Sequence, residues 1–148
     1  MEAIPVAQGG NVKISRWKIV LLMPLLALLM AAAPLLIDPE PITVPAGMSE
    51  QAVVKAITLG VAQRGWIVSK QEPGYMEATL NIRTHMAKVG ITYDVKSIQI
   101  KYLDSSNLDY EVKDDGRHIH RNYPKWINNI VHDISVQLLT ASAAVPAT

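Results

Sequence analysis

The sequence predicts an α+β fold. One N-terminal membrane helix precedes a two-layer sandwich, in which three to five antiparallel strands carry two helices on one face in the order α-β-β-β-β-α. Three observations predict it. Apolar residues recur at helical spacing at both ends of the region 48–140 and alternate strictly between those ends. The alternating stretches follow one another too closely for helical crossovers, so they pair as antiparallel hairpins. Ahead of them, residues 19–37 form an unbroken run of nineteen uncharged residues behind Lys13, Arg16 and Lys18.

As a helix, the run from Ile19 to Ile37 covers roughly 28 Å at ~1.5 Å per residue, close to the ~30 Å hydrocarbon core of a bilayer. The positive charges lie on its N-terminal side, which predicts a cytoplasmic tail at 1–18, a membrane segment at 19–37 and a periplasmic domain beyond it. The bilayer is thus one expected partner, through residues 19–37. A cleaved secretory signal is the competing expectation, with its small-x-small site at Ala31-Ala32-Ala33. Pro34 directly after that site disfavours cleavage there and favours a retained anchor. The acidic, proline-rich stretch 38–47 reads as a linker, and 141–148 as a flexible tail.

The first helix starts at Ser49, a capping residue, with Glu50 in the first turn. Val53, Val54, Ile57 and Val61 form its apolar stripe, and Gly65 is its stop. A short strand from Trp66 ends at the turn Glu72-Pro73-Gly74. From Tyr75 to His85, Met76, Ala78, Leu80 and Ile82 alternate with Glu77, Thr79, Asn81 and Arg83. Val89, Ile91, Tyr93 and Val95 repeat the pattern, as do Ile98, Ile100 and Tyr102. Asp104 to Asn107 reads as a turn, and Leu108, Tyr110 and Val112 as a fourth meander strand closed by Asp114-Asp115-Gly116. The last helix spans Pro124 to Leu139. Ile127, Ile130, Val131, Ile134 and Leu138 point to the core, while Asn128, Asn129, Asp133 and Gln137 point to water.

Composition excludes whole classes of chemistry. There is no cysteine, hence no disulfide, thiolate nucleophile, zinc–thiolate site or lipidated cysteine. From residue 42 onward eleven Lys/Arg are interspersed with ten Asp/Glu, a balance that argues against nucleic acid. No serine sits in a nucleophile elbow, and no glycine loop precedes a strand–helix unit. Asp109/Glu111 and Asp114/Asp115 read as a wet strand face and a turn. His118 and His120 project from one side of an extended segment, with His85 and His132 elsewhere. Two imidazoles without a fixed third ligand do not predict a metal site. No catalytic residue, cofactor or metal is expected.

The stretch Ser97-Ile-Gln-Ile-Lys-Tyr102, Asp104-Ser105, Asn107-Leu-Asp-Tyr110, then Ile119-His120 and Tyr123-Pro-Lys-Trp126-Ile127, resembles a group of small, largely uncharacterised bacterial envelope proteins, often lipoproteins. The likeness runs from about Val44 to Leu138. It implies an envelope location and one domain, and no reaction. This chain departs from the group in lacking a lipidated cysteine and in having Pro124 where asparagine is common. The expected function is a membrane-anchored, non-enzymatic accessory that binds another envelope component. The alternative is a periplasmic small-ligand or metal-sensing domain. The expected partner-binding residues are Arg83, Lys88, Gln99 and Lys101 on the polar sheet face, with His120, Tyr123 and Trp126 at the start of the last helix.

Overall fold

The computed structural model describes residues 33–144. They form an α+β unit of β1 (Ile42–Thr43), α1 (Glu50–Ala62), β2 (Ile67–Glu72), β3 (Tyr75–Ile82), β4 (His85–Tyr93), β5 (Ser97–Ser106), β6 (Glu111–Lys113), β7 (Gly116–His118) and α2 (Asn122–Ala143). Five strands make one antiparallel sheet in the order β1-β5-β4-β3-β2, and β6-β7 is a separate hairpin. Residues 19–32 of the expected membrane helix lie outside the described residues. Among those described, no helix is long and apolar enough to cross a membrane.

Local chemistry explains most element ends. Ser49 caps α1 by accepting from the Ala52 amide at 3.2 Å. Gly65, at φ +77°, takes the left-handed turn that lets the Trp66 N–H reach back to the Val61 carbonyl at 3.2 Å. Pro73-Gly74 turns β2 into β3, with Gly74 at φ +72° and Glu72 paired with Tyr75. The Asp94 carboxylate accepts from the amides of Lys96 and Ser97 and closes the β4–β5 turn. Those two bonds hold its pKa below the usual carboxylate value.

One face of the sheet is buried. Met76, Ala78, Leu80, Ala87, Val89, Ile91, Ile98 and Ile100 share a core with Val53, Ile57 and Val61 of α1 and with Ile127, Ile130, Ile134 and Leu138 of α2. The helices meet closely at Gly60, where a Cβ would stand 2.6 Å from Ile134 Cγ1 and 2.7 Å from its backbone nitrogen.

The structure departs from the sequence reading at five places. Residues 104–106 continue β5, opposite Lys88, Ala87 and Met86, because a bulge between Lys88 and Val89 shifts the register and lets pairing resume. Leu108, Tyr110 and Val112 do not extend the meander. Leu108 is buried, while Glu111–Lys113 pairs only with Gly116–His118. Val95 lies in the Asp94 turn and is exposed. Asp133 is buried rather than wet, because Arg64 reaches it with Nε at 2.6 Å and Nη2 at 3.3 Å. That bidentate hydrogen bond lowers the Asp133 pKa.

The fifth departure concerns where the folded unit starts. Residues 33–47, divided by the sequence reading between anchor and linker, belong to it. Leu35 forms an antiparallel bridge with His118, and the Leu36 N–H donates to the Arg117 carbonyl at 2.6 Å. Leu36 is only 5% exposed. Asp38 accepts from the Tyr102 amide at 2.8 Å, and Ile42 pairs with Ile98 along the β5 edge. Pro39, Pro41 and Pro45 lack an N–H, so this edge offers few donors to a second sheet. Leu36→Ala is therefore expected to cost about 2–3 kcal/mol in urea unfolding. An unchanged midpoint would show that residues 33–37 are not part of the folded unit.

Candidate functional site

Strand alternation leaves the second face of the sheet uncovered by helices. In register across it stand Thr79 opposite Lys88, Glu77 opposite Gly90, Thr92 opposite Gln99, and Gly90 opposite Lys101. Gly90 is the centre of this face. A Cβ there would lie 3.0 Å from the Tyr75 hydroxyl oxygen and 3.3 Å from Leu103 Cδ1, so the Tyr75 ring and the Leu103 methyls rest directly on the backbone. Charges ring this apolar seat. Lys88 Nζ is 3.5 Å from Glu77, and Lys70 Nζ lies 5.7 Å from the centroid of the Tyr75 ring. Burial, then the neighbouring Glu77 carboxylate, raises the Tyr75 pKa, so the phenol stays a neutral donor, its hydroxyl 3.3 Å from Glu77. Lys101 is exposed and makes no ion pair among the described residues.

The seven residues expected to bind a partner separate into three places. Lys88, Gln99 and Lys101 share the open face, but the Gln99 amide already donates to the Pro39 carbonyl at 2.8 Å. Arg83 occupies the β3–β4 turn, exposed and at φ +55°. His120 joins that end of the sheet through His85, the two rings lying 6.0 Å apart at 25°. Tyr123 is buried and unavailable to a partner. Its ring meets the edge of Tyr102 at 5.7 Å, and Tyr102 stacks on Tyr110 at 4.8 Å. Burial pushes the Tyr123 hydroxyl well above the usual phenol range. Trp126 is half-buried against the core.

The sequence pattern from Asn107 to Ile127 converges at this corner, and much of it is structural. Asn107 and Asp109 both take left-handed backbone angles, at φ +53° and +49°. They flank Leu108, which is 1% exposed. The Asn107 amide donates to the Thr84 carbonyl at 2.7 Å, the His85 Nδ1–H donates to the Asn107 carbonyl, and the His120 N–H donates to the Leu108 carbonyl at 2.7 Å. The loop is thus pinned to the β3–β4 turn. Asn107→Ala removes the side-chain bond and places a less tolerant residue in the left-handed region. It is expected to cost about 2 kcal/mol, read as a lowered urea midpoint.

The histidines do not assemble as the sequence pattern suggests. The imidazoles of His118 and His120 part, and the pair that forms is His85–His120, which only the fold could reveal. His85 carries its proton on Nδ1. His120 Nδ1 accepts from the Asn122 N–H at 3.2 Å, which leaves its proton on Nε2. The pair therefore presents one free acceptor and one donor, a poor arrangement for two imidazoles sharing a metal. Among the described residues no three potential ligands come together.

His118 is buried between two acceptors, the Ala33 carbonyl at 2.7 Å and the Asp115 carboxylate at 2.8 Å. Both ring nitrogens must donate, so the imidazolium is the form that fits. The Ala33 carbonyl first, and Asp115 second, raise its pKa above the usual imidazole value. The same His118 bond lowers the Asp115 pKa. Because the folded His118 pKa is raised, its stabilisation is complete below the unfolded value and is lost as pH climbs through the folded one. The Asp115 contribution behaves oppositely and is lost on acidification below the unfolded carboxylate value. The other charged groups of this hairpin are Glu111, the cross-strand neighbour of His118, with Lys113, Asp114 and Arg117. His118→Asn should therefore lower the melting temperature most near pH 5–6 and least near pH 9. A deficit independent of pH would show that the ring is neutral in the folded chain.

Two shallow grooves run between α2 and the proline-rich segment. One, of about 370 Å³, is lined by Pro41, Ile42, Pro45, Val131, Ser135 and Leu138, among others. The other, of about 290 Å³, lies between Ile37–Glu40 and Pro124, Ile127 and Asn128. The Ser135 hydroxyl is already bonded to the Val131 carbonyl, so the larger groove has little polar grip to offer a small molecule. Comparison with protein-family models, with curated proteins and with solved structures finds no match to this chain.

Proposed function

We propose that the protein is a non-enzymatic accessory of the bacterial envelope, membrane-anchored with its α+β domain in the periplasm, where its open sheet face docks another envelope protein. The observation that carries this reading is the seat over Gly90. A flat face with Tyr75 and Leu103 at its centre and Lys70, Lys88 and Lys101 around them has the aromatic centre and polar rim of a protein-binding surface. A photo-cross-linking residue at position 101 or 103 of the full chain tests it in living cells. A discrete adduct there, absent with the same residue at Leu59 on α1, is the expected result. Adducts of equal yield at all three positions, or none at any, would defeat the proposal.

The fate of the N-terminal run has two readings. With residues 33–37 built into the domain, the apolar stretch left over is Ile19–Ala32, fourteen residues. That would be roughly 21 Å as a helix, short of a ~30 Å core and within the length of a secretory signal's apolar region. Retention is favoured by Pro34 and by the bond from His118 to the Ala33 carbonyl, which cleavage after Ala33 would delete. N-terminal sequencing of the membrane fraction decides. A mature chain starting near Pro34 would replace the anchored protein with a released one.

A further inference from the structure

We propose that a pocket at the rim of the open sheet face receives the side-chain ammonium of a lysine on the docked partner. The inference deepens the docking reading above and rests on it. The pocket, of about 210 Å³, lies between the β2–β3 and β4–β5 turns and is lined by Gly74, Thr92, Tyr93, Asp94, Ser97 and Gln99. Thr92 is the cross-strand partner of both Tyr75 and Gln99, so the pocket adjoins the seat over Gly90. The two turns are tied together beside it. The Tyr93 N–H donates to the Gly74 carbonyl and the Tyr93 hydroxyl to the Glu72 carbonyl, each at 3.0 Å.

The hydrogen bonds already made decide what this pocket can hold. Both amide hydrogens of Gln99 are engaged, by the Pro39 carbonyl at 2.8 Å and the Ile100 carbonyl at 3.1 Å. A flipped amide would set its oxygen against those two carbonyls, so the orientation is fixed and Oε1 is left as an acceptor. Asp94 Oδ1 accepts from the Lys96 amide at 2.7 Å and the Ser97 amide at 2.8 Å, and Oδ2 has no partner among the described residues. Those amides also favour the ionised carboxylate. The Lys96 ammonium makes no ion pair among the described residues. The lining therefore offers one negative charge, a carboxamide oxygen, two hydroxyls and no committed side-chain donor. It disfavours anions and suits a cation that carries several N–H groups. Lysine fits better than arginine. A guanidinium is held best by two free carboxylate oxygens, and Asp94 has one. An ammonium takes single acceptors in different directions, which Asp94 Oδ2, Gln99 Oε1 and a hydroxyl supply. A metal ion would find only one carboxylate, and no cluster of three such ligands occurs among the described residues. The flexible four-carbon stem lets a partner seated over Tyr75 and Leu103 reach the site.

The test follows amide NMR signals of the nitrogen-labelled full-length protein, kept in solution by an uncharged polyoxyethylene detergent near neutral pH. The probes are N-acetyl-lysine methylamide, N-acetyl-arginine methylamide, alanine methylamide and glucose. The lysine probe is expected to shift Gly74, Asp94, Lys96 and Ser97 saturably, and more tightly than the other three. Asp94→Asn keeps an oxygen for the two turn amides but removes the charge, and should weaken that binding by about fivefold. Thr92→Val, which suits a strand, should weaken it less. Signals outside the pocket that stay in place show that each variant is folded. No saturable shift with the lysine probe, or equal affinity in the Asp94→Asn protein, overturns the site. Alanine methylamide binding as tightly as the lysine probe overturns the lysine and assigns the pocket to a chain terminus. Glucose binding as tightly removes the need for a charge and overturns it as well. In cells, the photo-cross-link at position 101 should fall in yield with Asp94→Asn. A full adduct in that variant leaves the docking face standing and removes the lysine from it. Lysine binding in solution with no adduct at 101 or 103 in cells defeats the docking reading, and this use of the pocket with it.

Discussion

Gly60→Ala should destabilise the folded domain by about 2 kcal/mol, and Gly60→Val should prevent stable folding. On an isolated helix the first change would be favourable by ~1 kcal/mol, since alanine is the better helix former. Here the added methyl would meet the backbone of α2, with the Ile134 nitrogen at 2.7 Å and Cα at 2.8 Å. A side-chain tip could rotate away from such a contact, but backbone cannot. The helices would have to part, and that would loosen Ile57, Val61, Ile130 and Ile134 together, all of them fully buried. The packing loss therefore outweighs the helical gain. Urea unfolding monitored by circular dichroism reads the effect. A raised midpoint for Gly60→Ala would mean that α1 and α2 do not cross at this residue.

That glycine illustrates what the sequence could and could not disclose. Periodicity located both helices and strands β2 to β5, because each apolar stripe or alternation is a local property of the chain. Turn chemistry at Pro73-Gly74 and Asp114-Asp115 marked two hairpins, whereas the turn at Asp94 went unmarked and Val95 was read into a strand. Gly60 looked like an ordinary helical residue, since nothing near it in sequence shows that Ile134 lies across from it. Asp133 was misread for the same reason. A carboxylate on a helix belongs in water unless a cation reaches it, and the cation is Arg64, 69 residues away. The segment from Ala33 to Ile37 was claimed by the apolar run because hydropathy cannot distinguish a bilayer from a protein core. Only its pairing with β7 does so. For the candidate site, alternation was enough to place Lys88, Gln99 and Lys101 together. It could not show that Gln99 is occupied by Pro39, or that a glycine lies under Tyr75 and Leu103. His85 and His120 meet only because the Asn107–Asp109 loop folds back on the β3–β4 turn.

Ile130→Asp should cost on the order of 3 kcal/mol or more. Ile130 is fully buried, in the α2 stripe between Ile127 and Ile134. One turn away the same helix buries an aspartate whose charge is paired, and the contrast identifies the cause. Asp133 has the Arg64 guanidinium on both of its oxygens, so its charge is paired and its hydrogen bonds are made. Position 130 lies among aliphatic side chains, with no donor to replace water. The new carboxyl would be held protonated in the folded state, with its pKa raised above the unfolded value near 3.9. A raised carboxylate pKa sets the sign of the pH dependence. The deficit is full at neutral pH, where unfolding releases the proton, and shrinks as pH falls toward the unfolded value. Urea midpoints of Ile130→Asp and of the unaltered protein, compared at pH 7 and pH 4.5, should therefore converge on acidification. Ile130→Asn, which cannot ionise, should show a smaller deficit with no such convergence. Equal midpoints at pH 7 would mean that α2 does not bury this face against the sheet.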